Sequence, residues 1–153
     1  MARLDLMPEP MRSHLEKLPC PSFDKHPWVS GPELSKRRVA IISTAGLHRR
    51  GDRPFEGMTG DYRVIPGDTN ASDLVMTHIS TNFDRTGFQQ DWNVVFPLDR
   101  LIELAAKRAI GSVAAYHYSF MGATDPAAME PAVRNIADLL KNDRVDAALL
   151  VPV

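Results

Sequence analysis

Apolar positions in this chain come as short β-branched runs separated by stripes at three- and four-residue spacing, a pattern that predicts strands alternating with helices. Val39-Ala40-Ile41-Ile42 is uninterrupted and predicts a strand buried on both faces. Val94 to Phe96 predicts a second strand, stopped by Pro97, which also suits a helix start. Leu98, Leu101, Ile102 and Ala105 mark one face of a helix over 98–108. Asp99 in its first turn and Lys107 and Arg108 in its last complement the helix dipole. Glu103 precedes Lys107 by four, and Gly111 supplies the stop. Residues 113–116 predict a third strand, with His117 to Gly122 at its end. Asp125 caps a helix start, and Val133, Ile136, Ala137 and Leu140 give the buried face of a helix over about 131–141. Pro131 either follows a single turn or opens the helix proper, and 146–151 is the last strand. Together these predict an α/β fold: a three-layer Rossmann-like unit with a mainly parallel sheet, incomplete within these residues.

Outside that core the pattern weakens. Residues 1–37 hold six of the twelve prolines and read as an arm. Met11, His14, Leu15 and Leu18 predict one short helix in it, and Phe23 and Trp28 act as apolar anchors. Lys36-Arg37-Arg38 reads as a solvated approach to the first strand, and residues 38–153 form the α/β domain. Between Gly46 and Gly67 periodicity disappears and five of the nine glycines fall, which predicts a long loop of functional type. Residues 61–66 and 74–80 are candidate strands around it, and 82–87 reads as a polar loop.

Composition narrows the function. A formal charge of -1 over 153 residues gives no electrostatic pull toward nucleic acid or anionic membrane. No apolar run is long enough to cross a bilayer and no signal peptide opens the chain, so the expected location is the cytoplasm. The single cysteine, Cys20, lies between two prolines and reads as a packed or half-exposed thiol rather than a nucleophile. Ser43-Thr44-Ala45-Gly46 ends a strand in a small-residue turn, but it has one glycine where a dinucleotide site needs three, and no phosphate-loop lysine. His78 near Asp84 lacks paired-ligand spacing, so no metal and no cofactor are expected in this chain. A hydrolase is disfavoured, because there is no Gly-x-Ser-x-Gly elbow.

Several ordered blocks carry a resemblance. Val39 to Phe55 (VAIISTAGLHRRGDRPF), Asn93 to Arg100 (NVVFPLDR), Ile110 to Val113, His117 to Gly122 (HYSFMG) and Val145 to Val153 (VDAALLVPV) resemble the selenoprotein B family. That family includes subunits of glycine, sarcosine, betaine and D-proline reductases, and the likeness covers residues 39 to 153. It implies an oxidoreductase that cleaves a C–N bond of a small amine or amino-acid substrate, with a disulfide as electron acceptor. It also implies partner reductase subunits and a thioredoxin-like dithiol donor, and leaves oligomerisation open. In the family the strand resembling Ala147 to Val153 leads directly into selenocysteine or cysteine, with further cysteines beyond. Here the sequence ends at Val153, as it would if a UGA codon were read as a stop, and a piece lacking the redox residue is expected to be inactive alone.

No catalytic residue is therefore expected within the chain. The substrate-binding candidates are Thr44, His48, Arg50 and Asp52 in the first loop, and His117 and Ser119 after the third strand. Arginine suits a carboxylate and histidine can pass a proton, although each of the six equally suits a structural role as cap, turn or loop partner. If the topology holds, both groups border one cleft near Val153. The alternative is a complete, non-catalytic Rossmann-like module for ligand binding or subunit assembly.

Overall fold

Arg38–Ser43 (β1) is the strand on which the sheet is built. The computed structural model describes residues 4–17, 22, 24, 27–80 and 85–153. In chain order, the helix Glu9–Glu16 (α1) precedes β1, and Leu47–Arg49 (β2), Tyr62–Pro66 (β3) and Leu74–Met76 (β4) follow it. Next come the helices Thr86–Gln90 (α2) and Leu98–Ala106 (α3), the strands Ser112–Val113 (β5) and Tyr116–Phe120 (β6), the helix Pro126–Asn142 (α4), and the strand Ala147–Val151 (β7).

β7 runs parallel to β1 from Val39 opposite Ala147 to Ser43 opposite Val151. β5 and β6 share the other side of β1, also parallel: Arg38 faces Ser112 and Ile42 faces Tyr118. β3 adds antiparallel to β6, so the sheet is mixed and mostly parallel. β2 and β4 form a separate antiparallel pair. Residues 39–42 and the last strand therefore lie in one sheet, as predicted, and are direct parallel neighbours.

Each face of the sheet has its own core. On one side Val39 and Ile41 pack with Leu47, Ile65, Leu74, Phe96, Leu98 and Leu101, which brings α3 and the small β2–β4 pair onto the sheet. On the other, Ile136 of α4 packs with Tyr118 and Phe120, joined by Ile42, Tyr62 and Leu140. Tyr62 meets Tyr118 edge-on at 5.9 Å between ring centroids.

Several expectations need correcting. Residues 94–96 are not a strand, because Trp92–Val94 is a 3-10 turn. Its polar neighbours decide this: Asp91 accepts the Asn93 N–H at 2.9 Å, and Asp99 accepts from Trp92 Nε1 at 2.8 Å and Asn93 Nδ2 at 2.9 Å. Such local side-chain bonds compete with a ladder. The helix after it ends at Ala106, and Arg108 (φ 57°) takes the left-handed position expected of Gly111. Gly111 instead lets the chain pass Lys36, whose carbonyl carbon would lie 2.5 Å from a Cβ there. Arg100, not Lys107, pairs with Glu103, at 2.8 Å.

Pro131 lies inside a continuous α4, with Pro126 in the first turn and the Asp125 side chain accepting from Ala127 N–H. Only one amide is lost there, on an exposed face. β2 arises inside the predicted loop, and the strand predicted over 74–80 stops at Met76. Trp28 is 83% exposed and anchors nothing among the described residues; Phe23 and Cys20 lie outside them. Arg38 is no solvated approach: its guanidinium holds Asp143 at 2.7 Å and the Val113 carbonyl at 2.7 Å.

Candidate functional site

The carboxyl ends of β1, β6 and β7 meet at one point. Thr44, just past β1, donates through Oγ1 to the Val153 carbonyl at 3.3 Å and accepts the Val153 N–H at 2.8 Å. Its own N–H reaches the Val151 carbonyl at 3.1 Å, and its carbonyl accepts from Gly122 N–H at 2.8 Å. A Cβ on Gly122 would come 2.5 Å from the Val153 carbonyl oxygen, 2.7 Å from that of Thr44 and 3.0 Å from Nε2 of His78. Only glycine allows these three groups to close on one another.

His78 is held from the other side as well. Gly46, at φ +64°, leaves room for the His78 backbone, whose N and Cα would both lie 3.0 Å from a Cβ at that position. Ser80 N–H donates to His78 Nδ1 at 3.1 Å, so the ring proton sits on Nε2, the nitrogen turned to Gly122. Burial and then the charge of Arg85 keep His78 below the usual histidine range, so the ring is neutral at pH 7. The arrangement can present one N–H donor beside the end of β7. In the sequence His78 read as a side chain satisfied in or beside the sheet, with a metal role disfavoured, and nothing in its spacing revealed that two glycines converge on it. Among the described residues no group of three or more His, Cys, Asp or Glu is disposed to hold a metal ion.

The six residues singled out from the sequence do not share one cleft. Thr44 is at the strand-end junction described above. Ser119 is fully buried, and its hydroxyl accepts the Leu47 N–H at 2.8 Å, tying β2 to β6. His117 is inside β6 rather than beyond a strand, with 0% exposure. Its Nδ1 accepts the Ile41 N–H at 2.9 Å in place of a backbone carbonyl, and its ring packs edge-on against Phe96 at 5.7 Å. Burial drives its pKa down to about 4, only partly offset by Asp143.

The other three follow β2 away from the junction. His48 is buried and its Nδ1–H donates to the Arg49 carbonyl at 2.9 Å, leaving Nε2 buried without a partner. Arg50 donates to the Ser72 carbonyl at 3.3 Å and lines a different cleft, with Gln90, Asp91 and Asp99. Asp52 is exposed in the turn after β2.

Comparison with known proteins gives this geometry a setting. A family model described as glycine/sarcosine/betaine reductase selenoprotein B matches residues 12–153. The chain is 34% identical over 122 residues to the D-proline reductase subunit gamma of Acetoanaerobium sticklandii, covering 77% of this chain and 49% of that protein. It is 32% identical over 141 residues to the glycine reductase complex component B subunit gamma of Symbiobacterium thermophilum, covering 86% and 32%. It is 32% identical over 109 residues to the sarcosine reductase complex component B subunit beta of Peptoclostridium acidaminophilum, covering 68% and 25%. The chain thus spans half or less of the length of these curated relatives. No solved structure matches it significantly. By the family match and these relatives, the chain belongs to the glycine/sarcosine/betaine reductase selenoprotein B family.

Proposed function

We propose that this chain is the N-terminal part of a cytoplasmic reductase subunit that carries its redox residue directly after Val153, at the carboxyl edge of a Rossmann-like parallel core. The observation that carries this reading is the junction of Thr44, Gly122, His78 and Val153, which fixes the end of β7 where parallel sheets collect ligands. The net chemistry is a two-electron cleavage of a C–N bond. A selenolate or thiolate attacks the carbon bearing the amine, and the amine leaves with the bonding pair. A second thiol then takes the sulfur or selenium, forming a disulfide-type bond, and the released carbon gains a proton. A thioredoxin-like dithiol restores the site.

In this scheme the chain's residues shape and hold. Thr44 anchors the strand end, and His78 Nε2–H offers a hydrogen bond to the reactive group or the departing amine. His117 and Ser119 hold β6 in place beneath the junction through the Ile41 and Leu47 N–H groups, and His48, Arg50 and Asp52 take no part.

The coding sequence past Val153 tests the proposal. An in-frame UGA or cysteine codon with an open frame beyond is expected. The longer product should release amine from glycine, D-proline or betaine in a dithiol-dependent manner, with its partner subunits present, whereas the 153-residue chain should release none. An ordinary stop codon with no open frame downstream would overturn it. The second reading is a complete module for subunit assembly, and the exposed apolar strand β7, with Leu150 67% exposed, favours it in that case.

A further inference from the structure

Residues 53–60 run from the turn after β2 to the first turn of α4. Among the described residues, none of their backbone groups bonds to another backbone group. Side chains hold the segment instead. Arg63 of β3 donates from Nε to the Arg53 carbonyl at 2.7 Å and from Nη2 to the Pro54 carbonyl at 2.8 Å. Its guanidinium also lies over the Phe55 ring, 4.3 Å from the centroid. Two threonines supply the other ties: Phe55 N–H donates to Thr77 Oγ1 at 3.4 Å, and Thr124 Oγ1 donates to the Thr59 carbonyl at 3.3 Å. Gly60 is the fixed end, because a Cβ there would lie 1.9 Å from the Ala128 carbonyl oxygen.

The segment crosses one face of the β2–β4 pair. Side chains alternate along a strand, and Leu47, Leu74 and Met76 share the face that packs into the core. His48, opposite Val75, is on the other face, with Thr77 two residues beyond Val75. Phe55, seated on Thr77 and 6% exposed, thus covers the face that carries His48, itself only 4% exposed. Beneath this cover the imidazole is half satisfied. Nδ1–H donates to the Arg49 carbonyl, and Nε2 is buried with no partner. A buried acceptor without a donor carries a free-energy penalty that exposure removes. A segment with no backbone ladder is also where local opening is easiest. Gly51 at φ 92° and Gly57 at φ 69° have open space around them and can absorb the change in dihedral angles.

We propose that residues 52–60 are a hinged cover, latched by Arg63, that opens as a unit and presents His48 Nε2 as an acceptor to an entering N–H or O–H group. Thr77 adjoins His78 and Thr124 is two residues from Gly122, so the cover borders the strand-end junction without being part of it. Opening at His48 needs no redox residue and does not rest on the reductase reading.

Two measurements on the 153-residue chain test this. Native-state hydrogen exchange is expected to show the amides of residues 53 and 55–60 opening together, at least about a hundredfold faster than those of β1 and β6. Diethyl pyrocarbonate acylates an imidazole nitrogen that bears a lone pair, so peptide mass spectrometry after its use reads access to His48. His48 should react slowly in the parent. In Arg63→Gln, which removes two charge-assisted bonds to the cover, it should react about tenfold faster or more, while His117 inside β6 stays unreacted. Phe55→Leu, which keeps apolar bulk but removes the ring under the guanidinium, should raise the rate by a smaller factor. Amides of 53–60 as protected as those of β1, parent His48 reacting as fast as in the urea-unfolded chain, or an unchanged rate in both variants would each overturn the proposal. So would His117 reacting together with His48, because the whole fold and not the cover would then be opening. None of these outcomes bears on amine release by the longer protein, so the two proposals fail separately.

Discussion

His117 shows how one side chain can stand in for backbone. Its Nδ1 takes the Ile41 N–H, so the ring must stay neutral to keep an acceptor in the sheet. The folded pKa of about 4 lies below the value near 6.5 of an unfolded histidine. For a depressed pKa, the stabilising contribution is complete above pH ~6.5 and is lost as pH falls toward 4, amounting to roughly 3 kcal/mol at most. Denaturant unfolding between pH 7.5 and 4.5 should show this loss. In His117→Asn, whose amide oxygen can accept the same N–H without titrating, that part of the pH dependence should vanish. An unchanged pH profile in the variant would show that the loss arises elsewhere.

At the scale of elements, the β1 end is closed by small residues as much as by ladder bonds. Gly122→Ala must push apart the Val153 and Thr44 carbonyls, and backbone on both sides leaves little room to yield. A loss of about 2 kcal/mol or more is expected, read as a lowered denaturation midpoint with an unchanged slope. A variant as stable as the parent would mean that β7 is not seated as described.

The elements also show what the sequence made legible. β1, β7, α3 and α4 were visible because continuous apolar runs and helical stripes report burial directly. The turn at Trp92–Val94 was not, because Val94-Val95-Phe96 has strand composition while Asp91, Asn93 and Asp99 settle the backbone through side-chain bonds. The continuation of strand through His117 to Phe120 was missed for a related reason: two polar residues, His117 and Ser119, face the interior and bond to backbone N–H groups of β1 and β2. The role of His78 depends on Gly46 and Gly122, which are distant in sequence from each other and meet only in the folded chain.

For the molecule as a whole, β7 is the exposed feature. Among the described residues it pairs only with β1, it carries no charge or proline, and Leu149 and Leu150 are 38% and 67% exposed. An apolar edge of this kind invites another strand. The 153-residue chain should therefore associate as its concentration rises, and Leu150→Lys should reduce that association without lowering the denaturation midpoint. Sedimentation velocity across a concentration series reads both proteins, and a parent that stays monomeric throughout would count against an adhesive edge.

The pairing of β1 sets the order in which the sheet can form. Its neighbours lie 74 to 108 residues downstream in the register pairs Arg38 with Ser112 and Val39 with Ala147. A nascent chain thus carries β1 without any sheet partner until Ser112 has been made, and without β7 until Ala147–Val151 follow. Closing such long loops is slow, and the waiting strand is open to wrong partners meanwhile. Refolding of this protein should therefore be governed by the late docking of β7, with the local helices α3 and α4 forming ahead of it.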